Sequence, residues 1–190
     1  IQMLVVAASS DKLSLSMQTN ATVMACLFGV ICGNYAMFGA TSAISSIPVC
    51  IIGLLGMGAI ARKMGQKKAL VVGTLGALAS AALMLLLFLF GEPTSMSLPA
   101  FSLTNPTTWG SLFNLGSWSF FGVAYLLIWI AMKGFSGIAS SIVIPMTADC
   151  ADYEVYRSGK YVPGLMGTLF SFVDKVISSL ATTFVALMFA

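Results

Sequence analysis

The chain has 190 residues, of which 58% are hydrophobic and only 8% are charged. Soluble domains carry roughly 25% charged residues, so this composition cannot provide a polar exterior. It excludes a soluble globular domain and predicts an all-α membrane protein that has the bilayer as its solvent. The net charge of +3 is small and the basic residues form no stripe with interleaved aromatics, so nucleic acid is not an expected partner.

Five stretches are long enough to cross a membrane at about 20 residues a span. The first, 1–33, is the least regular, because its part 9–22 is polar. The other four predicted spans are 35–61, 69–90, 119–146 and 163–190. The fourth span, 119–146, is long enough to need a tilt or a kink, for which Gly134 and Gly137 are candidates. We therefore predict a single transmembrane helical bundle over 1–190.

The chain begins without Met and ends inside an apolar run, so we expect it to be a fragment of a longer protein. It has no His, and the spacing of its four cysteines is unlike that of metal sites or disulfide frameworks. We therefore expect no bound metal, no cofactor and no catalytic residues.

The charges of the links predict the orientation. Four basic residues lie between the second and third spans, and Arg157 and Lys160 lie between the fourth and fifth. The link 91–118 has no Lys or Arg. The positive-inside rule places the two basic links in the cytoplasm and the link 91–118 outside.

Charges within the predicted spans are functional candidates, because an ion at the bilayer centre costs roughly 2.5 to 3.5 kcal/mol. Asp174 and Lys175 lie near the middle of the last span, Lys133 lies in the fourth, and Asp11 and Lys12 lie in the first. Adjacent helical residues point about 100° apart, so Asp174 and Lys175 need partners elsewhere. A purely structural alternative is that these ions form interhelical pairs that hold the bundle together.

Aromatic residues precede Lys133 at helical spacing. Tyr125 and Trp129 share a helix face with Lys133 at steps of four residues. An aromatic platform beside a hydrogen-bonding group suits a sugar site. The alternative is that these rings face lipid or pack against a neighbouring helix.

A set of motifs near the end of the chain carries a family resemblance. Residues 145–153 are Pro-Met-Thr-Ala-Asp-Cys-Ala-Asp-Tyr, followed by Ser158-Gly159-Lys160 and by Phe-Ser-Phe-Val-Asp-Lys over 170–175. This pattern resembles the glycoside-pentoside-hexuronide:cation symporter family, which includes the melibiose permease and belongs to the major facilitator superfamily. Gly33-Asn34 and the basic stretch 62–68 match the same family. The resemblance implies the C-terminal half of such a transporter, with about five helices that correspond to helices seven to eleven.

The resemblance also implies a function. It predicts symport of a sugar or glycoside with Na⁺ or H⁺ by alternating access, in a multi-pass protein of the plasma (inner) membrane. The partners would be the sugar, the coupling cation, the bilayer and the N-terminal half of the same transporter, which holds most of the cation site. The implied substrate and cation residues are Lys175, with Asp174, Lys133, Ser140 and Trp129 as further candidates; Ser141 shares the depth of Ser140. The implied cytoplasmic gate consists of Asp149, Asp152, Tyr153, Arg157 and Lys160.

Three other functions stay open on the sequence. A carrier of the same fold could move a lysolipid or another amphiphile. Asp149-x-x-Asp152 is superficially similar to an acidic pair that binds a diphosphate through a metal, which would suit a membrane-embedded enzyme acting on a lipid or polyprenyl substrate. A structural subunit that transports nothing is the third.

Overall fold

The computed structural model describes residues 2–99, 101, 105–159 and 163–189. In that part every regular element is a helix, which confirms the all-α prediction. The α-helices and the one π-helix of this part are α1 (Gln2–Gln18), α2 (Ala21–Ala25), the π-helix (Cys26–Ile31), α3 (Ala36–Met64), α4 (Gln66–Phe90), α5 (Phe120–Ser158) and α6 (Pro163–Phe189). Three 3₁₀ helices lie between α4 and α5: Pro93–Ser95, Pro106–Phe113 and Leu115–Ser117.

Within the described residues, α3 to α6 are each long and apolar enough to cross a membrane. The bent pair Ser9–Gln18 and Ala21–Ile31 makes a fifth span if it is counted as one. The predicted first span, 1–33, is therefore a broken helix with a bend of 42°. Non-helical backbone inside a membrane must find its hydrogen-bond partners within the protein.

Polar side chains supply those partners at the break. The Thr19 hydroxyl donates to the Leu15 carbonyl at 2.9 Å, and the Asn20 side-chain oxygen accepts from the Thr22 N–H at 2.9 Å. The first bond satisfies the end of α1, and the second caps the start of α2. The polar composition of 9–22, which made this span hard to predict, thus serves a backbone that changes direction.

Glycine marks two of the helix ends. Gly65 separates α3 from α4 with φ +81°, and Gly159 ends α5 with φ +68°. Both values lie in the left-handed region that side chains disfavour and glycine accepts freely. The α3–α4 turn therefore needs only one residue outside the helices.

Helix α5 corrects the predicted boundary of the fourth span. We expected the span 119–146 to be followed by a loop, but the helix continues to Ser158. The stretch after Pro145 contains no glycine before Gly159, and its Ala, Glu and Val residues tolerate a helix. The link to α6 is correspondingly short, and its residues 160–162 lie outside the described part of the chain.

Helix α5 is the centre of the bundle. It packs most extensively against α4 and α3, while α1 packs mainly against α6 and less against α5. Two apolar clusters lie along it. One contains Phe28, Tyr125 and Trp129 near the 91–118 link, and the other contains Ala69, Ile138 and Ile142 towards the opposite end.

Small residues allow the close helix contacts. A Cβ at Gly73 of α4 would lie 3.1 Å from the Ala139 backbone nitrogen and 3.2 Å from the Phe135 carbonyl oxygen. A Cβ at Gly134 would lie 2.7 Å from the Ile52 side chain. Gly134, a candidate for a kink, is thus a contact point between α5 and α3, as small residues commonly are in membrane bundles.

Candidate functional site

A cavity of about 460 Å³ lies where α1, α5 and α6 meet. Its size is within the usual range of small-molecule sites, roughly 300 to 1,000 Å³. Helix α1 contributes Asp11, Lys12 and Leu15; helix α5 contributes Ser140, Ser141, Val143 and Ile144; helix α6 contributes Phe170, Ser171, Asp174 and Lys175. The cavity thus joins residues far apart in the chain.

Two charged dipeptides face this cavity from opposite helices. The Lys12 ammonium lies 3.2 Å from an oxygen of the Asp174 carboxylate, with side chains 39% and 31% exposed. Asp174 thus finds its partner on another helix, as its position beside Lys175 required. The other two ions of the cavity, Asp11 and Lys175, form no ion pair with any residue that the structure describes. The four charges sum to zero, and half of them are available to a ligand.

Three hydroxyls accompany these charges. The Ser140 hydroxyl donates to the Gly137 carbonyl at 3.2 Å and keeps its oxygen free to accept. Ser141 and Ser171 make no hydrogen bond with the described residues. Hydroxyls and an ammonium with three donors are the groups that recognise a polyol, because each can donate or accept as the ligand requires.

The remaining wall of the cavity is apolar. Leu15, Val143, Ile144 and Phe170 line it beside the polar groups. A mainly apolar wall with a few convergent polar groups is typical of a binding site. It also gives room for an apolar part of a substrate.

Lys133 and Trp129 do not join this cavity. The Lys133 ammonium donates to the Gln18 side-chain oxygen at 3.3 Å and lies 4.9 Å from the centre of the Trp129 ring. The Trp129 ring is stacked on Tyr125 at 5.8 Å and is only 9% exposed. The predicted aromatic stripe on α5 therefore exists, but it packs against its neighbours and fixes the end of α1 at Gln18.

The predicted cytoplasmic gate residues lie on the last turns of α5. We placed Asp149, Asp152 and Arg157 in a loop, and the structure corrects this, because α5 stays helical up to Gly159. These three and Tyr153 are exposed, and Lys160 lies outside the described residues. Within the described part of the chain, Asp149, Asp152 and Arg157 form no ion pair. They are thus available to a partner on another segment.

Ser171 was not among the predicted site residues, and Asp11 and Lys12 were predicted only as charges within the first span, without a partner. The spacing of Ser171, Asp174 and Lys175 places all three on one helix face, so Ser171 could have been predicted from the sequence. Asp11 and Lys12 gave no comparable signal, because only the packing of α1 against α6 brings them to Lys175.

Apolar helices long enough to cross a membrane, with a charged, hydroxyl-lined cavity at one side of their bundle, are the architecture of a multi-pass membrane protein. The sequence model of the family described as MFS/sugar transport protein matches residues 2–190. The chain belongs to this family and hence to the major facilitator superfamily, whose members are secondary transporters of small molecules. No curated protein and no solved structure gave a match.

Proposed function

We propose that the chain is the C-terminal half of a plasma (inner) membrane transporter that moves a sugar or glycoside together with Na⁺ or H⁺. The observation that carries this proposal is the cavity between α1, α5 and α6. It combines the exposed Lys175 with three serine hydroxyls whose oxygens can accept hydrogen bonds. A sugar needs several donors and acceptors at once, and a site built to bond hydroxyls discriminates strongly against ligands that lack them.

The mechanism that we propose for this transport is alternating access. In this mechanism two bundles rock around a site between them and open it to each side in turn. Asp149, Asp152 and Arg157 then serve as a gate by pairing with the other half in one state only. Exposed ion pairs are worth only roughly 0 to 1 kcal/mol each, which suits contacts that must break in every cycle.

A carrier of lysolipids or other amphiphiles is the second candidate. The apolar wall formed by Leu15, Val143, Ile144 and Phe170 favours it, since an acyl chain could lie there with a polar headgroup beside Lys175. The two candidates differ in which ligand occupies the cavity and share the fold.

Uptake by the full-length protein in proteoliposomes tests the proposal. A panel of neutral mono- and disaccharides that includes melibiose is offered with no ion gradient, with a Na⁺ gradient or with a proton gradient. Accumulation of a sugar above its outside concentration under one of the gradients is expected. Lack of sugar uptake combined with binding of a lysolipid would instead favour the amphiphile carrier.

A further inference from the structure

We propose that Asp11 binds the coupling proton, so that part of the cation site lies in this chain and within the cavity itself. This inference rests on the proposed function and identifies its coupling ion. It departs from the family resemblance, which places most of the cation site in the N-terminal half. Its basis is the arrangement of four charges around one cavity.

The first step is the unequal pairing of the two carboxylates. Asp174 is bound to Lys12 at 3.2 Å, whereas Asp11 is half-buried on the cavity wall and has no ion pair among the described residues. A carboxylate held in partial shelter from water inside a bundle gains from neutralisation. Of the two acids, Asp11 is therefore the one that can accept a cation without breaking a contact of the bundle.

The second step is the kind of cation. Hard metal ions take several oxygen ligands at once, and here Asp11 is the one cavity carboxylate without an ion pair among the described residues, accompanied by neutral serine hydroxyls. A proton needs only one carboxylate oxygen. It moves from water on one side to Asp11, forms the neutral acid, and leaves to water on the other side when the carboxylate forms again.

The third step links the proton to the sugar. With Asp11 ionised, the four charges of the cavity balance, and Asp11 and Lys175, which form no ion pair among the described residues, attract each other across the cavity. With Asp11 protonated, this attraction vanishes and the three donors of Lys175 are free for sugar hydroxyls. Protonation thus raises the affinity for sugar, and by linkage bound sugar raises the affinity of Asp11 for the proton.

The other titratable groups that face α1 are few. Helix α6 presents Asp174 and Lys175, and helix α5 presents Lys133, which bonds Gln18 two turns away from Asp11. Helix α2 has no titratable side chain. The Lys12–Asp174 pair balances itself, so Lys175 is the charge that responds to Asp11.

Two transport modes of the full-length protein in proteoliposomes test this assignment, with melibiose and the other sugars of the panel as probes. Exchange of sugar at equal pH requires binding but no net proton movement. Accumulation driven by an inside-alkaline gradient without Na⁺ requires coupling. Asp11→Asn is expected to keep exchange and lose accumulation, and the wild type's sugar affinity should change by roughly 5- to 150-fold with protonation, the normal range of such couplings.

Glu92→Gln is the matched control, because Glu92 is an exposed acid in the link after α4, and it is expected to behave as the wild type. Asp11→Glu keeps the carboxylate and serves if Asp11→Asn does not fold. It is expected to accumulate sugar with an altered pH dependence, and a pH dependence identical to that of the wild type would contradict the assignment.

The remaining outcomes separate this assignment from the proposed function. Proton-driven accumulation by Asp11→Asn at the wild-type level would overturn it. A wild type that exchanges sugar but accumulates it only with Na⁺ would also overturn it and leave cation-coupled sugar transport intact. A wild type that exchanges no sugar would refute both.

Discussion

Single residues in the cavity have two distinct roles. Lys12 and Asp174 neutralise each other across two helices. This pair corresponds to the structural alternative, in which ions within the spans hold the bundle together. Lys175, exposed and unpaired among the described residues, keeps its donors for a ligand. The same kind of side chain is thus paired within the bundle at one position and is the proposed ligand contact at the other.

The Lys12–Asp174 pair is expected to contribute modestly to stability. Both side chains are about a third exposed, which places the pair near the upper end of the range for exposed pairs, about 1 kcal/mol. A double-mutant cycle of Lys12→Met and Asp174→Asn, read from thermal unfolding of the full-length protein in detergent, should give a coupling energy of that size. Single effects that simply add would show that the pair contributes nothing.

Individual residues were only partly predictable from the sequence. Lys175 could be singled out because a lysine in an apolar stretch is costly and its motif resembles that of a known family. The pairing of Asp174 with Lys12 could not be predicted, because it depends on how α1 and α6 pack. Trp129 was predicted beside Lys133, and the two are in contact, but Lys133 lies about two helical turns from Ser140 along α5 and does not line the cavity.

At the level of the helices, glycine positions decide how closely α4 and α5 approach. The space beside Gly73 is bounded by backbone atoms of Phe135 and Ala139, which cannot move aside as a flexible side chain can. The Cβ position of Gly58 on α3 meets no atom within 4 Å. An alanine substitution at Gly58 is therefore a suitable control for the same substitution at Gly73.

Gly73→Ala is expected to destabilise the protein by about 1–3 kcal/mol, the usual cost of overpacking. Gly58→Ala should leave stability unchanged or raise it by up to about 1 kcal/mol, because alanine favours a helix more than glycine does. Melting temperatures of the two purified full-length variants provide the measurement. Equal shifts in the two variants would contradict the close α4–α5 contact.

The helices also show what hydrophobicity can and cannot predict. Apolar runs predicted α3 and α4 to within a few residues, because a membrane span must be continuous and apolar. The same criterion ended the fourth span at Met146, where charges begin, whereas the helix continues to Ser158. Hydrophobicity marks where the bilayer core ends, and helix propensity and Gly159 mark where the helix ends.

For the whole molecule, the charged cavity lies at one side of a bundle whose outer helices carry many exposed apolar side chains, including Leu54, Leu55, Leu78 and Leu85. Such a surface fits lipid or a second bundle and not water. In the proposed transporter, the exposed Lys175 would face the N-terminal half. The choice of sugar would then depend on residues of both halves, and for that reason one half could not predict it.

Sugar exchange by a Lys175→Met variant of the full-length protein tests most directly whether this cavity is the substrate site. Lys67→Met, at an exposed position near the start of α4, removes the same charge away from the cavity and is the control. Loss of a charged hydrogen bond should reduce sugar affinity by roughly 10- to 100-fold in Lys175→Met, with Lys67→Met unaffected. Undiminished exchange by Lys175→Met would contradict the assignment of the cavity as the sugar site.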